Sequence, residues 1–153
     1  MRTVGGGMRS DGLLRVLVAA KPDLMRNSLV SYLRVIPRVD ILAPADDTST
    51  AIGLARSQQP DALVADVNLS EADLLYLVKL LRNEQPKLNC IVLADNVQQK
   101  QVFLSAGANC VLLKGFLDDR LKKALLTSLP RGRLTTASDP FISLAFPPLP
   151  NAG

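Results

Sequence analysis

The chain has 153 residues, 48% of them apolar and 21% charged, which fits one globular domain with tails and excludes a disordered chain. Two cysteines are too few for a disulfide scaffold, and 18 Lys and Arg against 14 Asp and Glu leave a mild +4 spread along the chain, which does not by itself point to nucleic acid. The absence of histidine excludes Ser-His-Asp and Cys-His catalysis and histidine metal sites, and no apolar run approaches the ~18 residues of a membrane span.

Residues 1–12 carry Gly5-Gly6-Gly7 and read as a flexible leader without the apolar stretch of a signal peptide, so the cytoplasm is the expected compartment. Leu13 to Ala19 has the length of a strand and is broken by Ala20-Lys21-Pro22-Asp23. Met25, Leu29, Tyr32, Leu33 and Ile36 recur at helical spacing up to Pro37. Val39 to Ala43 is a short strand, and Ala51, Ile52 and Ala55 mark a helix within 48–59 that stops at Pro60. Asp61 to Ala65 is a buried strand ending at Asp66, followed by a polar loop from Asn68 to Asp73. Leu74, Leu77, Val78 and Leu81 form one helical face, better read as core than as a zipper. Cys90 to Leu93 is a fourth strand, 97–106 a helix closed by Gly107, and Val111 to Leu113 a fifth strand ending at Lys114. Leu117, Leu121, Ala124 and Leu125 give the last helix. The domain is expected over 13–129. Residues 130–153, with five prolines, read as an irregular tail, although Phe141, Ile142, Leu144 and Phe146 are apolar enough to pack on something.

Five βα units with near-continuous apolar strands predict an α/β fold, a doubly wound parallel sheet with helices on both faces. Function in such sheets sits at the carboxyl ends of the strands, which selects Ala19, Ala20, Asp66, Ala94, Asp95 and Lys114.

Three segments in this order resemble the receiver domain of two-component response regulators. Val16-Leu17-Val18-Ala19-Ala20-Lys21-Pro22 stands where that family ends its first strand, and Asp61-Ala62-Leu63-Val64-Ala65-Asp66-Val67-Asn68-Leu69 where it carries its phosphoacceptor, with Asp73 matching an acidic residue of the next loop. Ser105-Ala106-Gly107-Ala108 with Leu112-Leu113-Lys114-Gly115 is similar to the receivers of helix-turn-helix transcription factors. The resemblance spans roughly 13–128 and implies the flavodoxin-like (βα)5 fold, strand order 2-1-3-4-5. It also implies a role in phosphorelay signal transduction rather than a reaction of the domain's own. A histidine kinase or other signalling protein is the implied partner, and a homodimer a further contact.

The family's chemistry passes a phosphoryl group to one aspartate. An acidic pair helps hold Mg²⁺, a lysine adds a second cation, a hydroxyl grips a phosphoryl oxygen, and an aromatic residue on strand five rotates inward. Here Asp66 occupies the acceptor position and Lys114 the cationic one. Ala19 and Ala20 replace the acidic pair, Ala94 the hydroxyl and Val111 the aromatic residue. This is a degenerate, pseudo-receiver pattern in which no cofactor is expected and Asp66 is at most a weak Mg²⁺ ligand. Asp66 and Lys114 read either as an ion pair locking the site or as the remnant of a working acceptor.

Other groups have a bland reading first. Asp23 is a helix-start acid before it is a ligand; Asp46 and Asp47 belong to a solvated loop or the next helix start; Asp95 follows Ala94 and points toward the site only as a second reading. Cys90 and Cys110 open neighbouring strands and read as small buried hydrophobes. Arg120, Lys122, Lys123, Arg131 and Arg133 make a basic cluster, read as a solvated face before a contact for an acidic partner or nucleic acid. The 24 residues after Leu129 are too few for a DNA-binding domain, so a stand-alone receiver is the expectation from this chain.

Overall fold

The computed structural model describes residues 12–114 and 118–126. The expected leader, apart from Gly12, and the tail with its apolar residues lie outside the described residues, as do Arg131 and Arg133. Five strands, β1 (Leu14–Ala19), β2 (Val39–Ile41), β3 (Ala62–Asp66), β4 (Asn89–Ala94) and β5 (Cys110–Leu113), alternate with five helices. These are α1 (Leu24–Arg34), α2 (Thr48–Gln58), α3 (Glu71–Glu84), α4 (Val97–Ala106) and α5 (Asp118–Leu126). All strand pairs are parallel, in the order β2-β1-β3-β4-β5.

Period-two alternation along each strand divides the core between the two faces of the sheet. Val16, Val18, Ala62, Val64, Ile91 and Leu93 pack with Leu29 and Leu33 of α1 and Leu121 and Leu125 of α5. Leu17, Ala19, Leu63, Ala65, Cys90, Val92 and Val111 pack with α2, α3 and α4. Each large apolar side chain so buried contributes roughly 1.5–3 kcal/mol. Leu74, Leu77, Val78 and Leu81 have no exposed surface, so the leucine face of α3 is core.

Four helices start by the same device. Side-chain oxygens of Asp23, Asp47, Ser70 and Asn96 accept from the backbone N–H of Arg26, Thr50, Asp73 and Gln99 at 2.7–3.1 Å. One expectation needs correction. The segment from Asn68 to Asp73 is not a polar loop: a 3-10 turn covers Val67–Leu69 and α3 begins at Glu71. The Asp66 carboxylate accepting from Asn68 N–H tightens the first part, and the Ser70 cap starts the second. Asp73 thus lies in the first helical turn, where an acid suits the dipole. Cys90 and Cys110 sit on adjacent strands but on opposite faces, because Cys110 is in register with Ile91. Both thiols are free, and burial pushes that of Cys90 up to about 11.

Candidate functional site

The sheet brings the carboxyl ends of β1, β3, β4 and β5 side by side, with Ala19 level with Ala65, Asp66 with Leu93 and Ala94 with Leu113. Asp66, the last residue of β3, has no exposed surface. A carboxylate buried this deeply needs a compensating charge or hydrogen bonds. The ammonium of Lys114, the residue after β5, supplies both at 2.6 Å from Oδ1. The Asn68 backbone N–H donates to the same oxygen at 3.0 Å. Oδ2 of Asp66 is buried and has no hydrogen-bond partner among the described residues.

Lys114 also reaches Asp95, whose Oδ1 lies 3.1 Å from Nζ. One ammonium thus joins carboxylates from the ends of β3 and β4. The arrangement is graded from inside to outside: the Asp66 side chain is fully buried, that of Lys114 24% exposed and that of Asp95 56% exposed. Burial opposes the charge on Lys114, but the hydrogen bonds and attraction from Asp66 and Asp95 outweigh it and hold its pKa above the usual lysine value.

Around this ion triad the positions that lack chemical groups are closed. Ala19, Ala20 and Ala94 are fully buried and bring no oxygen side chain to the edge. Val111 is packed in the core on the α2–α4 side of the sheet. Among the described residues no group of three or more carboxylates or thiols is arranged to hold a metal ion.

Asp23 caps α1, as its position at the helix start predicts, yet it also reaches the rim of the site. Its Oδ2 accepts from Asn68 Nδ2 at 2.9 Å, while Asn68 Oδ1 accepts from the Lys21 backbone N–H at 3.0 Å. Asn68 therefore ties the turn after β3 to the loop after β1. The Arg26 N–H and, to a smaller extent, Asn68 and Lys114 keep the Asp23 carboxyl below the usual range. Asp46 pairs with Arg26, whose guanidinium also donates to the Ala20 carbonyl at 3.2 Å, and Asp47 caps α2. These two acids hold the rim rather than enter the pocket. On α5, Arg120, Lys122 and Lys123 lie at the exposed surface.

The contact between Lys114 and Asp95 and the bridging role of Asn68 are the features that sequence reasoning underweights. A strand-ending Asp is a signal for a turn closed by its side chain on the backbone N–H two residues on, whereas the reach of the Asn68 side chain to Lys21 and Asp23 has no local signal. No local pattern reports that Asp95 and Lys114, on different strand ends, meet.

The comparisons with known proteins agree on one family. The family described as response regulator receiver domain matches residues 16–126. The chain is 29% identical over 147 residues to a protein-glutamate methylesterase/protein-glutamine glutaminase of Anaeromyxobacter dehalogenans, covering 89% of this chain and 43% of that protein. It is 24% identical over 115 residues to the DNA-binding transcriptional activator DevR/DosR of Mycobacterium tuberculosis, covering 74% and 53%. The chain thus spans about half the length of the curated relatives it matches. Among solved structures, the signal receiver domain of NarL from Mycobacterium tuberculosis superposes with a TM-score of 0.67 at 24% identity, covering 75% of this chain and 94% of that one. The response regulator domain of CheB from Thermotoga maritima gives 0.66 at 18% identity, covering 76% and 96%, and both share the flavodoxin-like fold found here. With the matched family covering the sheet and all five helices, the chain belongs to the response regulator receiver domains of two-component signalling.

Proposed function

We propose that this domain transmits a signal by contact with another protein while its pocket stays ion-paired, with little or no phosphorylation of Asp66. The observation that carries this reading is the Lys114 ammonium held between Asp66 and Asp95, at an edge where Ala19, Ala20 and Ala94 contribute no ligand atom. Mg²⁺, which the family's chemistry uses, meets a poor donor set here. Asp66 Oδ1 already carries an ammonium and an N–H, and the neighbouring strand end offers methyl groups. A hard dication that keeps most of its waters still asks for carboxylate or phosphate oxygens around it. Phosphoryl transfer is catalysed by charge stabilisation and positioning, so their loss slows it steeply. The reading assigns the domain to the cytoplasm and gives it no cofactor and no reaction of its own. Its partner would be a histidine kinase or another signalling protein.

A second reading has its own observation. Asp66 Oδ2 is buried and has no partner among the described residues, and a free carboxylate oxygen is what a phosphoacceptor needs. Intact-mass spectrometry after incubation with acetyl phosphate and Mg²⁺ separates the two. The first reading expects no phosphorylated species in wild type beyond that seen in Asp66→Asn. A stoichiometric adduct in wild type alone overturns it in favour of the second.

A further inference from the structure

We propose that Asp95 is a built-in competitor for the Lys114 ammonium, so that a phosphoryl-like anion beside Asp66 is held by Lys114 less tightly than it would be without the Asp95 carboxylate. The inference rests on the reading of this pocket as one that stays unphosphorylated, and it names a residue that keeps it so.

The geometry separates the two carboxylates by role. Asp66 is fixed inside the sheet edge and bonded to the Asn68 N–H as well as to Lys114. Asp95 lies on the rim just after β4, more than half exposed, and its backbone N–H donates to Gln99 Oε1 at 2.7 Å at the head of α4. Asp95 is therefore the partner that can leave. An ammonium has three donors, and an anion entering from solvent competes with Asp95 for the outer one. It also meets the Asp95 negative charge on the way. Because the outer contact is part-exposed, its strength is modest and screened by salt. Asp95 consequently tunes access to Lys114 rather than sealing it.

The test is an amide NMR titration with beryllofluoride, a phosphoryl mimic, in the presence of Mg²⁺. Wild type, Asp95→Asn and Asp95→Glu are compared, with the unliganded spectrum of the sheet residues as the check on folding. Asp95→Asn keeps the side chain's shape and removes its charge; it is expected to bind about three- to tenfold more tightly than wild type, with the gap closing as salt is raised. Asp95→Glu restores the charge and is expected to bind no more tightly than wild type. Equal or weaker binding by Asp95→Asn, including no binding by either protein, overturns the inference. Tight binding by wild type would instead overturn the reading of an unphosphorylated site. The Asp95 inference would then still be decided by the ratio between the two proteins.

Discussion

Asp66 and Lys114 show how one buried charge governs its surroundings. A fully buried carboxylate is tolerated because an ammonium lies 2.6 Å away, and removing only that ammonium leaves the charge uncompensated. Lys114→Met should therefore destabilise the domain by about 3 kcal/mol in urea denaturation. Adding Asp66→Asn should recover much of this, because a neutral amide needs no counter-charge. A double variant no more stable than Lys114→Met would contradict the pairing. The same pair sets an alkaline limit. The folded-state pKa of Lys114 is raised above the usual 10.5, so its stabilisation is fully present below that value and is lost as pH rises through the higher folded-state one. Wild type should lose its stability advantage over Asp66→Asn/Lys114→Met above pH 10.5, and hold it undiminished, as far as Lys114 is concerned, between neutrality and that point. At this scale the sequence already marked Asp66 and Lys114 as strand-end residues of opposite charge. Asp95 belongs to the same set of strand-end residues, but its pointing toward the site is only a second reading from the sequence, and the pairing of β4 with β5 is what brings it to Lys114.

Among the helices, α4 buries the fewest residues. Phe103 is its one fully buried residue, while Val97, Val102 and Leu104 stand exposed. Phe103→Ala should cost about 3–5 kcal/mol, and native-state hydrogen exchange should show the largest loss of protection in α4 and β5. A loss spread evenly over α1 to α5 would mean that α4 is not a separable unit. The end of α4 depends on Gly107, whose φ of +114° is unsuited to a side chain and whose added Cβ would lie 2.8 Å from Arg82 Cγ. The Arg82 stem can move aside, so the backbone angle dominates the cost. Gly107 is legible as a cap because a glycine directly follows the helical stretch 97–106. The observed α4 coincides with the expected 97–106; its start is fixed by the Asn96 side chain, a cap that the structure reveals. The turn after β3 was misread as a polar loop. There the backbone is organised by the Asp66 carboxylate and by Ser70, which caps α3 at a φ of +113° that few non-glycine residues adopt.

Over the whole molecule, the alternation of apolar strands with amphipathic helices is enough to state a parallel sheet covered on both faces, while the strand order β2-β1-β3-β4-β5 follows from the resemblance to receiver domains. The layering depends only on residue period and on the handedness of crossovers. For the site, the sequence offers a reading that rests on the resemblance, with Ala19, Ala20 and Ala94 aligned with positions where that family carries acids and a hydroxyl. If these alanines are what the pocket lacks, Ala19→Asp/Ala20→Asp should lower the melting temperature without metal, because two buried carboxylates repel each other and Asp66. Added Mg²⁺ should raise it again, while wild type stays unmoved. A double variant indifferent to Mg²⁺ would show that more than the acidic pair is missing. If the pocket stays ion-paired, Lys114 remains between Asp66 and Asp95 when a phosphodonor is present. The most direct test is to follow the Lys114 ammonium group by NMR as acetyl phosphate and Mg²⁺ are added. An ion-paired pocket leaves the resonance unchanged, matching that of the untreated protein. A shift that appears in wild type and is absent from Asp66→Asn would contradict this, and would mean that the pocket still exchanges its internal ion pair for a phosphoryl group.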